Sequence, residues 1–143
     1  MDYDDVMNMI RRHEGFSAEV YLDTVGVPTG GYGHAFHVGS YIPVYVAERL
    51  LWLDVKQAEE DYDYVAKIYN LDLDPVRRAV FIDMLFNLGL SKFLLFKKFL
   101  AAVQREDWPE AKAQLIDSKW HRQVGNRALE LEEMILTGEY ARQ

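Results

Sequence analysis

Apolar residues recur at two different periods along this chain. Val6, Met9, Ile10 and His13 fall at helical spacing behind Asp4 and Asp5, either of which can cap a first helix. Glu14 sits where that helix should stop, with Gly15 behind it as a left-handed cap. From Val20 to Tyr32 the pattern turns to β, with Val, Tyr and Thr set among glycines. Pro28 cannot donate to a ladder, so this stretch suits a small edge sheet, a β-hairpin forming a lobe of its own.

A long amphipathic helix follows. Pro43 is favourable at a first helical position, and Ala47, Leu50, Leu51, Val55, Ala58, Tyr62, Val65 and Ile68 keep the three-to-four spacing to about Tyr69. The remainder reads as helices. Asp74 before Pro75 is an N-cap and first-turn proline, and the run from Val76 to Leu88 is apolar nearly all round, hence central and buried, with Gly89 ending it. Ser91 opens another helix carrying Phe93, Phe96, Phe99, Leu100 and Val103. Asp107 with Glu110 makes a capping-box pattern before the next. The last helix runs from about Asn126 to Leu136 and is closed by Gly138.

Composition narrows this picture. The chain has 143 residues, half of them apolar, which suits one domain with a real core. No apolar run approaches the roughly 18 residues that a membrane span needs. The acidic start, Met1 to Asp5, lacks the apolar stretch of a secretory signal, which predicts cytoplasmic synthesis. Without cysteine there are no disulfides or thiolate metal sites. A net charge of −7 argues against non-specific nucleic-acid binding. Arg11, Arg12, Lys119, Arg122 and Arg127 could still supply a local basic surface, or simply be solvated helix-end charges.

Two carboxylates stand out. Glu14 closes a helix, and Asp23 lies nine positions on, near the bend of the hairpin. Acids presented by different elements can face each other across a gap, as glycosidic bond cleavage requires. The carbonyl end of a helix favours the neutral form of an acid, which is what leaving-group protonation uses. A hairpin aspartate is also an ordinary turn-former that bonds its own backbone, and Thr29 could be plain β-branched filler. Gly30, Gly31 and Gly33 allow positive φ and close approach of the backbone to a ligand. His13, His37 and His121 have no spacing that suggests zinc, and neither metal nor cofactor is expected.

Glu14, Asp23-Thr24, Gly26, Thr29 and Gly31-Tyr32-Gly33-His34 resemble the active-site signature of phage-type lysozymes, the endolysins of glycoside hydrolase family 24. The resemblance continues through Asp74-Pro75-Val76-Arg77-Arg78, Phe86-Asn87-Leu88-Gly89, Trp108, Ser118-Lys119-Trp120 and Asn126-Arg127. It implies an α+β, mainly α fold, with a small β-hairpin lobe and a larger helical lobe joined by a long helix, and a cleft between them. On that plan residues 15–42 form the β lobe, 43–70 the connecting helix, and 1–14 with 71–143 the helical lobe of a single domain. The connection after His34 is shorter than in the family, so the β lobe is reduced.

The resemblance further implies a muramidase that hydrolyses the β-1,4 bond between N-acetylmuramic acid and N-acetylglucosamine in peptidoglycan, with inversion. Glu14 would be the acid and Asp23 the base, with Thr29 positioning the water. Phe86 and Gln114 would bind substrate, and Trp120 and Asn87 would support the wall of the cleft. Arg127 would pair with Glu14 and His34 with Asp54, while Gly31 and Gly33 shape the hairpin. Phe99 replaces a small polar residue of the family's groove. The implied partner is the glycan strand, met by a monomer without stable membrane association, reached in the periplasm after release through a holin-type helper. A silent peptidoglycan-binding module and a lytic transglycosylase compete with this reading. The first has no use for Glu14, Asp23 and Thr29 together, and the second needs no second carboxylate. An acidic helical adaptor would leave the glycine-rich hairpin unexplained.

Overall fold

The computed structural model describes residues 3–141, and among them the order is ααα-rich with one sheet near the start. Helix α1 spans Tyr3–Glu14, then come strands β1 (Ser17–Leu22), β2 (Pro28–Gly31) and β3 (His34–Ala35). The helices that follow are α2 (Val44–Tyr69), α3 (Pro75–Leu88), α4 (Leu90–Phe93), α5 (Lys97–Gln104), α6 (Trp108–Ile116), α7 (Lys119–Val124) and α8 (Asn126–Thr137). This is the expected α+β, mainly α class. The chain divides into two compact units, Met1–Val44 and Tyr45–Gln143. Among the described residues no helix is long and apolar enough to cross a membrane.

In the first unit, α1 begins at Tyr3, so Asp4 and Asp5 stand inside its first turn and not at its cap, where they complement the positive end of the helix. The hairpin gains a third strand, giving an antiparallel sheet in the order β1-β2-β3. Ser17 pairs with Gly31 and Tyr21 with Thr29, so four steps along β1 oppose two along β2. That mismatch is a bulge, and it shortens the reach of β1.

The second unit holds the core. Phe81, fully buried on α3, meets the rings of Tyr62, Phe93 and Phe99 at centroid distances of 5.9, 5.2 and 5.5 Å. Burial pushes the Tyr62 phenol above its ordinary pKa. The caps of α3 form as the sequence predicts: Asp74 accepts from the Arg77 N–H, and Gly89 ends the helix at φ 81°. Arg77 then fastens three helices. Its Nε and Nη2 donate to the carbonyls of Ile135 and Leu136 at the end of α8, and its guanidinium lies 3.9 Å from the Trp108 ring centroid.

Three further expectations need correction. Pro43 precedes α2 by one residue instead of opening it. The helix expected from Ser91 is two helices, because Leu95 and Phe96 donate back three residues, to Lys92 and Phe93, and tighten the chain into a turn. The capping box is half made: Asp107 accepts from the Glu110 N–H, but the Glu110 carboxylate is taken by Gln114 Nε2 and the Asp107 N–H goes to Ala102. Phe81→Ala is expected to cost about 4 kcal/mol in urea unfolding, the loss of a large ring from a packed site with little room to collapse.

Candidate active site

Helix α1 stops where Gly15 turns left-handed at φ 68°, its N–H returning to the Arg11 carbonyl at 2.9 Å. Glu14 is thereby the last helical residue, and its side chain is exposed. The carboxylate lies directly on Gly33: a Cβ placed there would stand 2.5 Å from Oε2 and 2.7 Å from Cδ of Glu14. Gly33 has φ 73°, so it is required twice, for its conformation and for the space. Gly31 has φ 61°, also as expected. Gly30 does not take a positive φ; it is buried in β2 against Val20 and Phe36, where small size is what counts.

Asp23 sits in the turn from β1 to β2. Its Oδ1 accepts from the N–H groups of Val25 at 2.9 Å and Val27 at 2.8 Å, while its own N–H donates to the Val27 carbonyl. The turn-forming reading of this residue therefore holds, and it occupies one carboxylate oxygen. Thr29 is 6 % exposed and donates Oγ1 to the same Val27 carbonyl at 2.8 Å. Both side chains are thus bonded to the backbone of one turn residue, Val27, Asp23 at its N–H and Thr29 at its carbonyl. Because of the bulge, the ladder between this turn and the end that carries Gly33 is only as long as β2, about 10 Å for three strand steps. His34 opens β3 and is exposed, its ring edge-on to Phe36 at 4.7 Å.

In the second unit Phe86 is 41 % exposed, so it is not core. It lines a hollow of about 270 Å³ together with Leu51, Val55, Ile82, Asp83 and Arg127. Arg127 donates Nε to Asp83 Oδ1 at 2.7 Å, a partner that the sequence reading missed. Asp54 and Asp61 line a second hollow of about 370 Å³ beside Phe86. Trp120 is 3 % exposed and donates Nε1 to Asn87 Oδ1 at 3.2 Å. Gln114 borders a third hollow, with Phe99 in its floor. The sequence reading also missed the buried Glu132, which is hydrogen-bonded to His121 Nδ1; its place on the inward stripe with Leu131 and Ile135 was the available signal. Among the described residues no group of three or more His, Cys, Asp or Glu could hold a metal ion.

Gly33→Ala is expected to push the Glu14 carboxylate aside and to cost about 1 kcal/mol for the left-handed backbone. A thermal melt should show a loss larger than the backbone strain alone, because the Glu14 side chain must move as well. Gly39→Ala, at φ 91° with nothing within 4 Å, should show only the backbone loss in the same melt.

The family model for phage lysozyme matches residues 11–133. A probable T4-type lysozyme 1 of Dictyostelium discoideum is 26 % identical, over 93 % of this chain and 94 % of that protein. A second from the same organism, a probable T4-type lysozyme 2, is 26 % identical over 92 % and 93 %. The pre-baseplate central spike protein Gp5 of Enterobacteria phage T4 is 28 % identical over 91 % of this chain, which spans 27 % of that protein. With the match extending over most of its length, the chain belongs to the phage lysozyme family of glycoside hydrolases, which act on peptidoglycan.

Proposed function

We propose that the protein is a muramidase that hydrolyses the β-1,4 bond between N-acetylmuramic acid and N-acetylglucosamine with inversion. Glu14 protonates the leaving oxygen. Asp23 takes a proton from the attacking water through Oδ2, the oxygen its turn does not use, and Thr29 helps to hold that water. Phe86 and Gln114 contact the glycan strand. Gly31 and Gly33 keep the hairpin open to the sugar. The activity serves lysis of a bacterial cell from the periplasmic side.

One observation carries this reading: the Glu14 carboxylate rests on a residue that has no side chain, at one end of a short ladder whose other end carries Asp23. A purely structural acid has no need of such a bare neighbour. The ladder's length of about 10 Å favours the wider carboxyl spacing of inverting glycosidases, about 6.5–9.5 Å, over the 5–5.5 Å or so of retaining ones.

Clearing of purified cell walls tests the assignment. Glu14→Gln should lose at least about a thousandfold in rate, because no proton reaches the leaving group. Asp23→Asn separates the two roles of that residue. Its amide oxygen can still accept from Val25 and Val27, so stability should hold within about 0.5 kcal/mol while the rate falls about a hundredfold or more. Asp23→Ala loses the turn as well and should cost about 1 kcal/mol in addition. An unchanged rate for Asp23→Asn removes it as the base. Proton NMR of fresh product should show the α-anomer at the new reducing end, whereas anhydro-muramic ends by mass spectrometry would replace hydrolysis with transglycosylation.

A further inference from the structure

Helix α2 buries Ala58, Tyr62 and Val65 and nothing ahead of them. At about 100° per residue, Tyr45, Arg49, Trp52 and Lys56 fall on one side of its first half, turned away from those three. Tyr45 is 77 % exposed, Trp52 49 % and the adjoining Leu53 48 %. An outward helix face is ordinarily polar. This one centres on an indole, with the Arg49 guanidinium 4.5 Å and the Lys56 ammonium 5.4 Å from its ring centroid. Both cations are attracted to the face of that ring. Farther along the same side the charge reverses, with Glu59, Glu60 and Asp63. Glu59 is bonded to Lys56 at 3.3 Å and to Arg78 at 3.2 Å, whereas Glu60 and Asp63 are exposed.

A face that is aromatic and basic at one end and acidic at the other is complementary to itself when reversed. We infer that the outward face of α2 pairs with the same face of a second copy of this chain, the two helices antiparallel about a two-fold axis level with Asp54. The four-and-three spacing then sets Tyr45 opposite Asp63, Arg49 opposite Glu59 and Glu60, and Trp52 opposite the stem of Lys56. Each contact is made twice, as a two-fold interface requires. The Tyr45 hydroxyl donates to a carboxylate, Arg49 gains a charge pair, and Leu53 covers the edges of the two indoles. From Tyr45 to Asp63 the seam is about 27 Å long at about 1.5 Å per residue. An anionic bilayer would suit Trp52 and its cations but would repel the three acids, which a reversed copy puts to use. One helix pair makes a small interface, so the dimer forms at about 10–100 μM. It departs from the monomer that the family resemblance implies, and it stands apart from the muramidase reading.

Sedimentation velocity on the full chain, from about 1 μM to about 1 mM, tests the pairing. The mass should rise from 16.7 kDa toward twice that value. Trp52→Ser with Leu53→Ser should weaken the dimer at least about tenfold, and both side chains are exposed, so folding does not depend on them. Arg49→Glu should weaken it about tenfold by placing like charge opposite Glu60, and adding Glu60→Arg should restore it. Orientation is read by disulfide formation, since the chain has no cysteine of its own. Leu53→Cys, near the axis, should link two copies under mild oxidation. Lys67→Cys should not, because its counterpart lies about 40 Å along the seam. A mass that stays at 16.7 kDa throughout, a dimer indifferent to the Trp52 and Arg49 variants, or Lys67→Cys linking as fast as Leu53→Cys would each overturn the pairing. So would a chain that stays monomeric and binds phosphatidylglycerol vesicles through Trp52, which assigns the face to lipid.

Discussion

The approach of the Glu14 carboxylate to the Cα of Gly33 is the contact on which the first unit turns. It demands that α1 end at one residue, that the chain reverse at once, and that the β2–β3 turn offer bare backbone at the same place. Gly15 meets the first two demands with a left-handed turn and a bond back to Arg11. Gly33 meets the third. Neither helix propensity nor burial sets this arrangement, since α1 has no buried residue; sterics set it.

In the second unit the governing interaction is apolar. The aromatic cluster around Phe81 takes rings from α2, α3, α4 and α5, so four segments share one centre. The charged groups work at the margins of that cluster. Arg77 satisfies the last carbonyls of α8, which would otherwise lack partners, and lays its plane on Trp108. Glu132 is the exception, a carboxylate within the core that is accommodated by its hydrogen bond to His121.

How much of this was legible depended on whether the signal was local. The ends of α1 and α3 could be read because Gly15, Asp74 and Gly89 act through their own backbone torsions and caps. The break between α4 and α5 could not, since Phe93, Phe96 and Phe99 keep helical spacing straight through the turn. Helix α7 is only six residues long, too short for a periodic signal, although Ser118 caps it and Gly125 follows it. At the site, the identities of Glu14, Asp23 and Thr29 came from a family pattern. The Asp83 partner of Arg127 lies 44 positions away, and no local rule links them. The contact between Glu14 and Gly33 was hidden for the same reason.

The bulge in β1 has a consequence for reading such motifs. Residue count along a strand normally serves as a ruler, at about 3.3 Å per step. Here four steps of β1 occupy the length of two on β2, so contour length and reach part company. The nine positions between the two acids therefore measure how much chain is stored, not how far apart the ends stand. Relatives with a different count between these residues could keep the same gap by adding or removing slack in this one strand.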